Sequence, residues 1–160
     1  MTPLRRAFVI ASVAWSIGLL LAPAIAARTQ TGAAGAGDAV ALVLYAAGSL
    51  ICHQRPERSF HLFGVQLPVC ARCAGIYLGA AVTACLAWAR MAPAAPDHHR
   101  GSPARDARPR PRTLLLFSAV PMMATLVYEW TTGQTPGNMA RAMSGATLGA
   151  AVAWIVCSVR

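Results

Sequence analysis

Ala7-Phe8-Val9-Ile10-Ala11-Ser12-Val13-Ala14-Trp15-Ser16-Ile17-Gly18-Leu19-Leu20-Leu21-Ala22-Pro23-Ala24-Ile25-Ala26-Ala27 contains no charged side chain. Wound as a helix rising ~1.5 Å per residue, it reaches across the ~30 Å hydrocarbon core of a bilayer. Four further apolar stretches follow, at residues 39–52, 74–89, 114–130 and 142–159. The pattern predicts an all-α, multi-pass transmembrane bundle of four or five spans. The second and third stretches fall short of the roughly 20 residues a comfortable span needs. They must thin the bilayer, extend into flanking polar residues, or enter without crossing. Asp38 is placed to cap the second stretch, and Trp88 and Trp130 sit where interfacial anchors belong.

Composition agrees with lipid as the solvent. The chain is 160 residues long, 56% hydrophobic and 12% charged, with a mean hydropathy of +0.50. Soluble domains carry about 25% charged residues. All 14 basic residues are arginines and the formal charge is +9, a balance that can signal nucleic acid. Here the arginines lie in short loops between apolar runs and match no nucleic-acid-binding motif, so they read as topology signals and headgroup contacts. The expected partners are the bilayer, with a homo-oligomer or another membrane protein also compatible, and no nucleic acid. The expected location is the inner (plasma) membrane. Residues 1–37 read as an N-terminal anchor and short loop, and residues 38–160 as the membrane domain.

The first segment has a second reading. Arg5-Arg6, the apolar run and Ala24-Ile25-Ala26 resemble a secretory signal, although the apolar run is long for one and the anchor is favoured. Residues 90–113 hold Pro93, Pro96, Pro103, Pro109, Pro111 and six arginines. Proline at this density excludes regular helix or sheet, so the segment is expected to be an extended linker. Asp97-His98-His99 falls within it and reads as a solvated turn. Orientation stays open. With five crossings, either the arginines before the first span or those in the linker break the positive-inside rule.

Between the second and third apolar stretches lies the densest chemistry: Cys52-His53-Gln54-Arg55-Pro56-Glu57-Arg58-Ser59-Phe60, then Pro68-Val69-Cys70-Ala71-Arg72-Cys73. Cys70-x-x-Cys73 lets two thiolates meet one ion at ~2.3 Å each, a common half-site of structural zinc. Cys52 or His53 can supply a third ligand from the start of the 52–73 loop. Both together are strained, because neighbouring side chains of an extended chain point opposite ways. His61 or Glu57 could complete a tetrahedron. The candidate ligands are therefore Cys52, His53, Cys70 and Cys73, for zinc or another transition metal. Cys85, twelve residues beyond Cys73 and so ~18 Å along a helix, and Cys157 near the end of the last span read as packing residues. Haem attachment is disfavoured because Ala74 follows the second cysteine.

A polar layer accompanies the cysteines. Arg55, Arg58 and Arg72 offer planar forks suited to carboxylate or phosphate, and Glu57 can pair with one of them inside the loop. If the third and fourth stretches both cross, the 131–140 loop returns to the face that carries the cysteines. Glu129 and Arg141 then flank it as a natural ion pair, since charges at membrane depth tend to pair or face a polar interior. The alternative is that both snorkel to water. Gly75 with Gly79, and Gly145 with Gly149, have the spacing of close helix packing.

The motif from Cys52 to Phe60, continued by Pro68-Val69-Cys70-Ala71-Arg72-Cys73-Ala74-Gly75-Ile76-Tyr77-Leu78-Gly79, resembles the signature of a family of bacterial and archaeal integral membrane proteins classed as a domain of unknown function. Asn138, Arg141 and Gly145 resemble an Asn-x-x-Arg-x-x-x-Gly element at the start of that family's last helix, and Glu129 stands where an acidic residue often ends the helix before it. The resemblance implies a membrane protein with a Cys/His motif and no assigned activity. The residues favour a non-enzymatic metal-binding role in transport, sensing or assembly. Two alternatives stay open: a quinone-linked membrane thiol-disulfide oxidoreductase using Cys70, Cys73 and Cys52, and a purely structural protein.

Overall fold

The structure, a computed structural model, describes residues 2–30, 32, 35–91 and 110–158. It is a helical bundle of α1 (Pro3–Gln30), α2 (Ala36–Ile51), α3 (Ala71–Met91), α4 (Pro111–Thr132) and α5 (Asn138–Ser158). Four of these, α1, α3, α4 and α5, are long and apolar enough to cross a membrane. The third apolar stretch reaches that length by taking Ala71, Arg72 and Cys73 into its first turn. The second does not. At 16 residues, α2 is ~24 Å long, short of the hydrocarbon thickness. It starts two residues before Asp38, whose carboxylate instead accepts the Gly35 N–H at 2.8 Å from the helix's third position. The 90–113 linker lies largely outside the described residues, and Asp97-His98-His99 wholly so.

Interhelical contacts orient the bundle. Ser16 on α1 donates to the Tyr77 carbonyl on α3 at 3.2 Å. Val9, Ala84 and Cys157 share one cluster at the far end, so α1 and α3 are antiparallel. Thr147 on α5 donates to the Ser118 carbonyl on α4 at 2.9 Å, and Glu129 faces Arg141, so that pair is antiparallel too. In contrast, α3 and α5 run parallel: Gly75 lies against Ala142 and Gly79 against Ala146, while Gly145 meets Arg72 and Gly149 meets Ile76. At Gly75 and Gly149 a β-carbon would overlap the backbone carbonyl of the facing helix. Only glycine lets two backbones approach this closely, the small-residue packing expected of these spacings. This is the most extensive helix contact among the described residues.

Buried residues follow from that arrangement. Seven residues of α5 are buried, among them Arg141, Ser144, Gly145 and Gly149. None of α4 is, and its Leu116, Phe117, Val120 and Trp130 are exposed. A second core at the other end of α3 gathers Leu19, Cys52, Leu67, Val69 and Ala74; Trp15 and Tyr77 pack against it, their rings meeting each other edge-to-face at 5.9 Å. The N-terminus of α1, the C-terminus of α3, the N-terminus of α4 and the C-terminus of α5 therefore share one end of the bundle. The 52–70 segment and the α4–α5 turn share the other.

Candidate functional site

Between α2 and α3 the chain makes a 3-10 turn at Pro56–Arg58 and a two-stranded hairpin, β1 (His61–Leu62) and β2 (Val65–Gln66). Phe63 and Gly64, with φ of 55° and 77°, form its two-residue loop. Positive φ at both central positions is what the tight type I′ hairpin turn requires. Gln54 is the hub of the segment. Its backbone is left-handed, at φ 46°, and its side-chain amide donates to the Tyr45 carbonyl at 2.8 Å and the Pro68 carbonyl at 2.6 Å. Gln66 donates to the Gln54 carbonyl and to Ser59 Oγ. Asn138, the first residue of α5, donates to the Ser59 carbonyl at 3.0 Å. This network joins the end of α2, the hairpin and the start of α5.

The result is to bring three sulfurs together. Cys52, Cys70 and Cys73 have ligand atoms within 4.8 Å of one another, a group that can hold a metal ion. Cys52 is reached in extended backbone just after α2, and Cys70 precedes the first residue of α3. Cys52 Sγ accepts the backbone N–H of Cys70 at 3.1 Å. The Cys70 thiol is pushed down from 9.0 to about 5, chiefly by a hydrogen bond from the Cys73 side chain, with further donation from Cys73 and Arg72 N–H groups and from Cys52; burial opposes the shift. A thiolate cradled at a helix N-terminus is both the metal ligand and the nucleophilic form of cysteine.

His53 lines the same cavity but lies outside the sulfur group. Extended backbone at Cys52 turns the two neighbours apart. Glu57 is more than half exposed and stands 4.0 Å from Arg58. His61 is exposed on β1. Cys85 is exposed on α3, and Cys157 is buried beside Val9 and Ala84 at the opposite end of the bundle.

Next to the sulfurs stands a charge cluster. Glu129, in the last turn of α4 and nearly buried, receives Arg58 Nη2 at 2.5 Å, Arg72 Nη2 at 3.3 Å and Arg141 Nη2 at 3.4 Å. Arg72 also donates to Thr125 Oγ1 at 3.3 Å. One carboxylate thus faces three guanidiniums from the motif segment, α3 and α5. Arg55 lines the adjoining cavity, which measures about 440 Å³. Reading the sequence paired Glu129 with Arg141 alone. It missed Arg58 and Arg72 as partners of Glu129, and Gln54, Gln66 and Thr125 altogether, because no local pattern marks contacts between residues so far apart in the chain.

Residues 52–155, which carry the cysteines and the arginine–glutamate group, match one family model. The chain belongs to that family, the predicted membrane proteins DUF2085. It is similar to an uncharacterised protein of Methanocaldococcus jannaschii, 58% identical over 43 residues that make up 27% of this chain and 28% of the relative. It is also similar to an uncharacterised protein of Methanothermobacter thermautotrophicus, 63% identical over 30 residues, 19% of this chain and 27% of the relative. The chain thus spans little more than a quarter of the length of each of these relatives. No solved structure matches it.

Proposed function

We propose that the protein holds one thiophilic metal ion, zinc by ligand type, on Cys52, Cys70 and Cys73 at the outer face of the plasma membrane, and that it acts in metal-dependent sensing or assembly without catalysing a reaction. The observation that carries the reading is the mutual approach of three sulfurs within 4.8 Å. Bonds of ~2.3 Å in a tetrahedral set place sulfurs about 3.8 Å apart, within that limit. A depressed Cys70 thiol supports it, since metal binding needs thiolate at neutral pH. The cluster sits at one end of the bundle, which suits a fixed centre better than a station along a transport path.

The outward orientation rests on charge. Arg5 and Arg6 lie at the end opposite the cysteines, where α3 ends and α4 begins; the 90–113 linker with its six arginines joins those two helix ends, and α2 is too short to add a crossing. Four crossings let all these arginines face the cytoplasm, as the positive-inside rule asks. The conflict that arises with five crossings disappears.

Elemental analysis of full-length protein purified without a metal-affinity tag tests the reading. Near one equivalent of zinc or a similar ion is expected in wild type and none after Cys70→Ser with Cys73→Ser. Metal absent from wild type, or retained by the double variant, overturns it. Recovery of the pair as a disulfide that added quinol reduces would instead support a thiol oxidoreductase.

A further inference from the structure

We propose that the cavity beside the cysteines is a binding site for a phosphoryl oxyanion, held by the guanidiniums of Arg141, Arg72 and Arg58. The proposal stands on the arginines and does not require a metal on the sulfurs.

Charge is the first ground. Three guanidiniums face one carboxylate, that of Glu129. A metal ion of charge two on three thiolates would add a single negative charge and still leave a positive excess at the site. Uncompensated charge in such surroundings is costly, and it is relieved by a counter-ion.

Unmade hydrogen bonds are the second ground. A guanidinium offers five N–H donors and cannot shed its charge. Arg141 is 2% exposed, yet its Nε, Nη1 and Nη2 have no hydrogen-bond partner, and its approach to Glu129 is an ion pair only. Nε of Arg72 and Nε of Arg58 are also buried without a partner. Buried donors are nearly always satisfied. These belong to side chains that line the cavity, and the fork of arginine matches the paired oxygens of a phosphate.

Shape is the third. About 440 Å³ is the space of more than about ten waters at ~30 Å³ each, room for a phosphoryl group with a substituent. Ile51, Ile76 and Met122 add apolar side chains to the lining. Met122 precedes Glu129 by two turns of α4, ~10 Å deeper along the helix. A site that sets guanidiniums beside apolar side chains suits the phosphate of a lipid headgroup, and inorganic phosphate shares the same recognising chemistry.

The test uses full-length protein. In detergent, inorganic phosphate is titrated and followed calorimetrically. In nanodiscs of phosphatidylcholine with or without phosphatidic acid, retained lipid is counted by native mass spectrometry. Saturable binding of either probe by wild type is expected, weakened at least about tenfold in Arg141→Lys, which keeps the charge and loses the fork. Arg72→Lys and Arg58→Lys should weaken it in the same direction, and they serve if the Arg141 variant fails to fold. Phosphate that displaces retained lipid identifies the free anion as the source, and lipid that resists displacement identifies the headgroup; either supports the proposal. Metal content measured on the same samples reads the cysteine centre separately. Failure of wild type to bind either probe, or binding unchanged in every folded lysine variant, overturns it.

Discussion

Arg58 Nη2 lies 2.5 Å from Glu129 Oε1, so the turn after Cys52 is tied directly to the last turn of α4. Arg72 and Arg141 approach the same carboxylate from α3 and α5. Glu129 therefore joins the motif segment to α3, α4 and α5.

Removing that carboxylate should cost more than altering Arg58. Glu129→Gln leaves three guanidiniums facing no charge, and loss of one partner from a buried pair costs ~3–5 kcal/mol. Arg58 is one-third exposed, so Arg58→Lys should cost no more than about 1 kcal/mol. Thermal unfolding of the two variants in detergent checks this, and equal losses would sink the claim that Glu129 is the common partner.

The cysteine centre should respond to acid. Cys70 titrates near 5 when folded against an ordinary 9.0, so the folded state favours its thiolate. That favourable contribution is complete above the ordinary value and disappears as pH falls through about 5. In metal-free protein, alkylation at Cys70 should be nearly as fast at neutral pH as in alkali and should slow below about 5. In metal-loaded protein, the ion should be released over the same acid range. Mass-spectrometric alkylation rates across pH decide it. A midpoint at the ordinary thiol value would mean that no thiolate is stabilised there.

The glycine contact between α3 and α5 should tolerate nothing larger. Gly149→Leu drives a side chain into the backbone carbonyl of Ile76, which cannot swing aside. Overpacking costs typically ~1–3 kcal/mol, and more where backbone is struck. Gly137→Ala meets open space and should stay within about 0.5 kcal/mol of wild type. Melting temperatures that fall alike for both would remove the reason for reading these glycines as a contact.

Sidedness can be read without touching a cysteine. An epitope inserted after Gln134 should be reached by antibody on intact spheroplasts. One inserted after Ser102 should be reached only after permeabilisation. The reverse pattern would place the sulfurs on the cytoplasmic face.

The bundle was legible in sequence because lipid demands length and apolarity, which residues 7–27, 114–130 and 142–159 display openly. Residues 39–52 were ambiguous for a physical reason: a helix too short to cross and a span that thins the bilayer have the same composition. Contacts between α1 and α3 make those two helices antiparallel, and no periodicity records that. At the site, Cys70-x-x-Cys73 was legible from spacing alone. That Cys52 joins the pair while His53 does not depends on one extended residue after α2. Gln54 gave no signal, since its left-handed backbone and its bonds to Tyr45 and Pro68 exist only once the hairpin has folded.

The α3–α5 contact leaves no compressible side chains between two backbones, whereas α4 has no buried residue at all. Mechanically this is a stiff spine with a loose rod fastened to it. Thr147 bonded to Ser118 is a pin partway along, and the carboxylate of Glu129 is a latch at one tip. A change of charge at the latch would act on a lever of 22 residues. The far tip of that lever is Pro111, where the arginine-rich linker joins at the opposite end of the bundle.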